Sequence, residues 1–115
     1  MVSLKEQRER QVKELVKWLK AEYPNILKYL REKTYWHYDE DKRENVELTF
    51  DQLFEADKNE AWALMGVEVL KVLRSHIWNT FAWSGKTKRD YLTTVMHAVG
   101  CRYVSRVWYC PLTFK

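Results

Sequence analysis

Val12, Leu15, Val16 and Leu19 recur three or four residues apart, with Lys and Glu filling most positions between them. That spacing places them along one side of a helix. A capping box precedes them: the Ser3 hydroxyl can serve a free amide of the first turn, and Glu6 can reach back. The pattern predicts an amphipathic N-terminal helix over 4–22. Pro24 is expected to end it, because a proline biases the residue before it, Tyr23, away from helical backbone. Proline suits the first turn of a new helix, so a restart with Ile26, Leu27 and Leu30 on its apolar side is expected.

Between 34 and 50 the period changes. TYWHY and VELTF flank the charged run DEDKREN, and Val46, Leu48 and Phe50 alternate with Glu47 and Thr49. Alternation and β-forming side chains predict an antiparallel hairpin, although its seven-residue connection holds neither Gly nor Pro. Thr49 with Gln52, and Asp57 with Glu60, repeat the capping-box spacing. The first opens a short helix carrying Leu53 and Phe54. The second opens a long central helix over 58–80, with Trp62, Met65, Val69, Leu73, Ile77 and Phe81 at helical spacing. Gly66 inside it costs about 1 kcal/mol against Ala, which points to close helix packing there.

Thr87 followed by Asp90 predicts one more helix start. Leu92, Val95, Met96 and Val99 form its apolar stripe, and Gly100 is a natural stop. The tail, 101–115, fits two forms. As a helix it would gather Cys101, Val104, Val107 and Trp108 on one side; as a strand it has suitable Val, Tyr and Trp content. Either regular form puts Arg102 and Arg106 on one face. The fold expected is therefore mainly α: a small single domain of three to five helices over 1–115. A short antiparallel β element drawn from 34–50 and the tail would complete it.

Composition supports this and adds one point. A chain of 115 residues with 46% apolar and 31% charged residues is a single globular domain, not a disordered one. Six Trp, seven Tyr and four Phe are more than so small a core readily hides. Some Trp and Tyr should stand at the surface, where they favour contacts. The charged N-terminus lacks the apolar segment of a secretory signal, and no run of eighteen apolar residues occurs. A soluble, cytoplasmic protein is expected, with Cys101 and Cys110 as thiols. Neither Cys nor His spacing matches a zinc pattern, so no metal and no cofactor are expected.

Charge is segregated. Residues 1–33 carry +4, residues 34–70 carry −7, and residues 71–115 carry +7. Such a layout bears on partners and association rates, not on fold.

Candidate chemistry starts with 83-WSGKTKRDY-91. Ser84-Gly85-Lys86-Thr87 looks like the end of a phosphate loop, but the first glycine of that motif is replaced by Thr80 on a helical lead-in. A turn and a capped helix start explain it better. A helix N-terminus with Lys86, Lys88 and Arg89 beside it still attracts phosphate. A helix-turn-helix across 91–108 fails on register: Arg106 falls where an apolar core residue belongs, and Pro111 cuts the second helix short. A calcium loop in the acidic run fails too, with Glu44 at the glycine position and Phe50 at the final carboxylate position. A thiol–imidazole pair of His97 with a cysteine lacks any supporting motif, and no catalytic residue is assigned.

The functional expectation is a non-enzymatic binding protein associated with DNA or RNA through its basic, aromatic last third. Lys86, Lys88, Arg89, Arg102 and Arg106 would neutralise phosphates, and Trp83 and Tyr103 would stack on bases. The alternative is a protein-binding inhibitor or adaptor of the kind phages and mobile elements encode. It would use the acidic residues Asp39, Glu40, Asp41 and Glu44 with Trp36 as an anchor. A small enzyme ranks third.

Overall fold

Helix α1 runs unbroken from Leu4 to Arg31 in the computed structural model, which describes residues 3–115. Ser3 caps it as expected, accepting from the Glu6 amide. The expected break at Pro24 does not occur; the proline lies inside the helix, exposed. A mid-helix proline costs about 3 kcal/mol. Packing outweighs that cost, because Leu15 and Leu19 before it and Ile26 and Leu30 after it fall on one buried stripe. Losing that alignment would expose half of the helix's core face.

The hairpin is present. Strand β1 (Thr34–Asp39) pairs antiparallel with β2 (Glu44–Thr49), with His37 opposite Val46. The connection needs no glycine. Asp39 Oδ1 accepts from the Asp41 and Lys42 amides, closing the turn with a side chain, and Arg43 takes the left-handed conformation at φ 53°. Tyr35 anchors the hairpin to the body by donating its hydroxyl to the Leu30 carbonyl near the end of α1.

Helix α2 (Phe50–Ala56) follows directly, with both hydrogen bonds of the Thr49–Gln52 capping box formed. Helix α3 (Lys58–Thr80) is capped by Asp57 and carries the central core residues Met65, Val69, Leu73 and Ile77, all fully buried. Helix α4 spans Gly85–Ala98. Its cap is Ser84, whose hydroxyl accepts from the Thr87 amide, and not Thr87 itself. Both residues can cap; the extended backbone of Ser84, with ψ 158°, decides it.

Gly100 ends α4 as anticipated. The Cys101 amide donates to Met96 and the Gly100 amide to His97, with Gly100 at φ 99°. This is the Schellman pattern, and buried Met96 and Cys101 supply the apolar pair that accompanies it.

The tail resolves as a second hairpin, β3 (Arg102–Val104) with β4 (Val107–Tyr109). It forms its own two-stranded sheet and does not pair with β1 or β2. Cys101 and Cys110 are joined in a disulfide across its open end, so the expected thiols are corrected. The hairpin packs on α3. The Cys110 amide donates to the Trp62 carbonyl, and the Trp108 carbonyl lies where a Cβ on Gly66 would stand, 2.0 Å away. Gly66 thus marks a close approach, but of a strand instead of a helix.

The architecture is mainly α, four helices with two short antiparallel strand pairs, and measures 64 × 27 × 23 Å.

Candidate nucleic-acid interface

The first turn of α4 is built by Ser84. Besides capping Thr87, its carbonyl accepts from Lys88. That turn carries Lys86, Lys88 and Arg89, with the free amides of the helix start beneath them. Arg89 folds back over it, its guanidinium near the Cα of Gly85.

An aromatic ladder underlies the turn. Trp83 stacks on Phe81 at 4.0 Å and on Tyr91 at 4.3 Å, with near-parallel rings. Arg8 of α1 sits over the Tyr91 ring, 5.5 Å from its centre. Beside it, Trp78 of α3 holds two cations, Arg74 at 5.1 Å and Lys88 at 5.5 Å. Such contacts fix long cationic side chains against apolar surface while leaving their charge exposed. His76 continues the ladder, stacked on Trp18 at 3.7 Å and edge-on to Phe81. Burial lowers its pKa, with Glu22 opposing, so the neutral ring is the favoured form.

Five cations, Arg8, Arg74, Lys86, Lys88 and Arg89, therefore converge on one end of the molecule from α1, α3 and α4. Among the described residues none of the five is paired with a carboxylate; the ion pairs lie elsewhere, at Lys28–Glu32, Arg31–Asp51 and Lys71–Glu68. Arg8 and Arg74 escaped the sequence reading because they lie on α1 and α3, away from the 83–91 stretch that drew attention to the other three. Helical periodicity alone does not bring 8, 74 and 88 together.

The other basic residues lie apart. Arg102 adjoins Asn59 and Trp62 near the start of α3. Eighteen or so residues of α3 separate that point from Trp78, roughly 27 Å at 1.5 Å per residue. Arg102 and Arg106 do not share a face either. The chain reverses between them at Ser105 and Arg106, which have φ values of 51° and 67°. This is a two-residue turn with both φ values positive, formed without the Asn-Gly signal that would announce it. Tyr103 is 54% exposed and tilts against Trp108. Trp83 is half-buried, with its ring engaged by Phe81 and Tyr91.

The acidic candidates lie on the β1–β2 arm at the far end. Glu40, Asp41 and Glu44 are exposed, whereas Asp39 is spent on the turn. Trp36 and Tyr38 point outward from β1, 68% and 53% exposed. The opposite face of the arm borders a groove of about 760 Å³ lined by His37, Asp39, Asp41, Glu55 and Asp57.

No family model matches this chain, and no curated protein or solved structure shows significant similarity to it. No helix among the described residues is long and apolar enough to cross a membrane.

Proposed function

We propose that the protein is a non-enzymatic nucleic-acid-binding protein that grips the phosphate backbone with the basic pole at the start of α4. The observation that carries this is the gathering of Arg8 over Tyr91, and of Arg74 and Lys88 over Trp78, beside Lys86 and Arg89 at the start of α4, with none of the five paired with a carboxylate among the described residues. Cations held over aromatic rings keep their charge exposed, and phosphate oxygens are the partner such a surface suits. The aromatic residues act as a scaffold here: Tyr91 and Trp78 hold basic side chains in place, and Trp83, committed to Phe81 and Tyr91, does not read bases. Binding is accordingly backbone-directed and weakly sequence-dependent, to DNA or RNA. Arg102, Arg106 and Tyr103 lie too far away to join the same contact.

The test is electrophoretic or fluorescence titration of the full chain against mixed-sequence DNA and RNA over a range of salt. With about five phosphates neutralised, log K should fall with log salt at a slope of roughly −4 to −5. Lys86→Glu, Lys88→Glu and Arg89→Glu together should abolish binding, while Arg102→Glu with Arg106→Glu should change it little. No salt-dependent binding at low ionic strength rules the reading out.

A second reading rests on one different observation, the outward exposure of Trp36 and Tyr38 on the arm. It makes the acidic arm the docking surface of an inhibitor or adaptor for a basic protein. A stoichiometric protein partner retained after nuclease treatment, and lost on Trp36→Ala, would favour it.

A further inference from the structure

His37, Asp57 and Glu60 reach one point from three places: the inner face of β1, the junction of α2 and α3, and the first turn of α3. One ligand atom from each lies within 4.8 Å of the other two. We propose that these three residues form a site for a divalent first-row transition-metal ion of the zinc type, with the remaining positions open to water. The geometry is close to what such an ion requires. Donors at about 2.1 Å from a tetrahedral zinc stand roughly 3.4 Å apart, and His37 Nδ1 lies 3.4 Å from Glu60 Oε2. Asp57 offers a carboxylate oxygen within 4.8 Å of the other two donor atoms. Its Oδ1 is held by the Glu60 amide at 3.2 Å, which orients the carboxylate and leaves Oδ2 for the ion.

The surroundings separate this cluster from ordinary surface acids. All three residues are half-buried, unlike exposed Glu40, Asp41 and Glu44 on the same arm. The adjoining groove is lined by Asp39, Asp41 and Glu55, which add negative potential around the donors. One imidazole with two carboxylates selects zinc or its neighbours over calcium and magnesium, which take oxygen ligands. Of the other strong ligands, both cysteines are in a disulfide and His76 is stacked on Trp18, while His97 stands on α4 away from this cluster. A bound ion would tie the β1–β2 arm to the α2–α3 junction, which is otherwise bridged there by the His37–Glu60 pair.

The experiment is calorimetric titration of the tag-free chain with zinc, repeated with calcium and magnesium. Saturable binding of one zinc ion is expected, with a rise in Tm and a shift of the His37 ring signals by NMR. Glu60→Gln preserves size and removes one ligand; His37→Ala removes another. Each should weaken zinc binding by more than about tenfold. Asp41→Asn and His97→Ala should leave it unchanged. Asp57 is unsuitable for this purpose because its loss also uncaps α3. Circular dichroism identifies a variant that fails to fold, in which case Glu60→Gln and the wild-type NMR shifts decide. Absence of one-to-one saturation, wild-type zinc affinity in Glu60→Gln, or calcium binding as tightly as zinc would each overturn the site.

Discussion

Gly66 is the position where one added methyl group meets the least tolerant neighbour. On an open helix face, Gly→Ala would gain about 1 kcal/mol from helix propensity. Here the new Cβ would lie 2.0 Å from the Trp108 carbonyl oxygen, a backbone atom of β4 that cannot swing away. The sign therefore inverts: Gly66→Ala should destabilise the fold by about 1–3 kcal/mol, as overpacking does. Urea unfolding measures it, and a gain in stability would show that β4 sits more loosely than described. His76 offers a test by pH. Burial holds its folded pKa below the ordinary 6.5, so the folded protein binds fewer protons than the unfolded chain. The contribution is complete above the unfolded value and is lost as pH falls from about 6.5 through the lowered folded value. Tm should drop over that range, and His76→Phe, which keeps an aromatic ring against Trp18, should flatten the drop. Parallel pH profiles for the two proteins would assign it to other groups.

Among the elements, the β3–β4 hairpin depends most on a single covalent link. It has three residues per strand, a two-residue turn with positive φ at Ser105 and Arg106, and a disulfide from Cys101 to Cys110. Constraint of a loop of that length is worth about 2–3 kcal/mol on the chain-entropy account. Cys101→Ser with Cys110→Ser should lower unfolding free energy by about that amount, and hydrogen exchange should quicken first at the hairpin and at Cys110, whose amide donates to Trp62. Unchanged stability would mean that packing on Gly66 suffices. The hairpin also shows where sequence reading stops. Helix α3 was legible to the residue, since its cap and its stripe from Trp62 to Ile77 agree. So was the β1–β2 pair, because one arm alternates strictly. The tail gave no such agreement: Ser105-Arg106 is an unusual turn dipeptide, and pairing of two cysteines depends on distance in space. At Pro24 a sound local rule lost to packing on both sides of it. The candidate site was half legible. Lys86, Lys88 and Arg89 lie within four residues of sequence, but Arg8 and Arg74 join them only through helix packing, as His37 joins Asp57 and Glu60.

Charge is arranged along the whole 64 Å length, with the basic pole at the α4 start and the acidic arm beyond the opposite end of α3. The two are separated by at least roughly 27 Å of helix. Whether the arm affects nucleic-acid binding is then a question of screening. At physiological salt the Debye length is about 8 Å, so the arm's carboxylates are largely invisible to a phosphate backbone bound at the pole; at 0.01 M it is about 30 Å, comparable with the separation. Glu40→Lys, Asp41→Lys and Glu44→Lys should therefore leave affinity near wild type at 0.15 M salt and strengthen it clearly at 0.01 M. The steeper salt dependence would arise without any new contact, since exposed acids repel the polyanion only when the solvent lets their field reach it. Titrations of the wild type and the triple variant at both salt concentrations measure this directly. Equal strengthening at both would place the arm in contact with the nucleic acid, and the polar separation of the two surfaces would have to be abandoned.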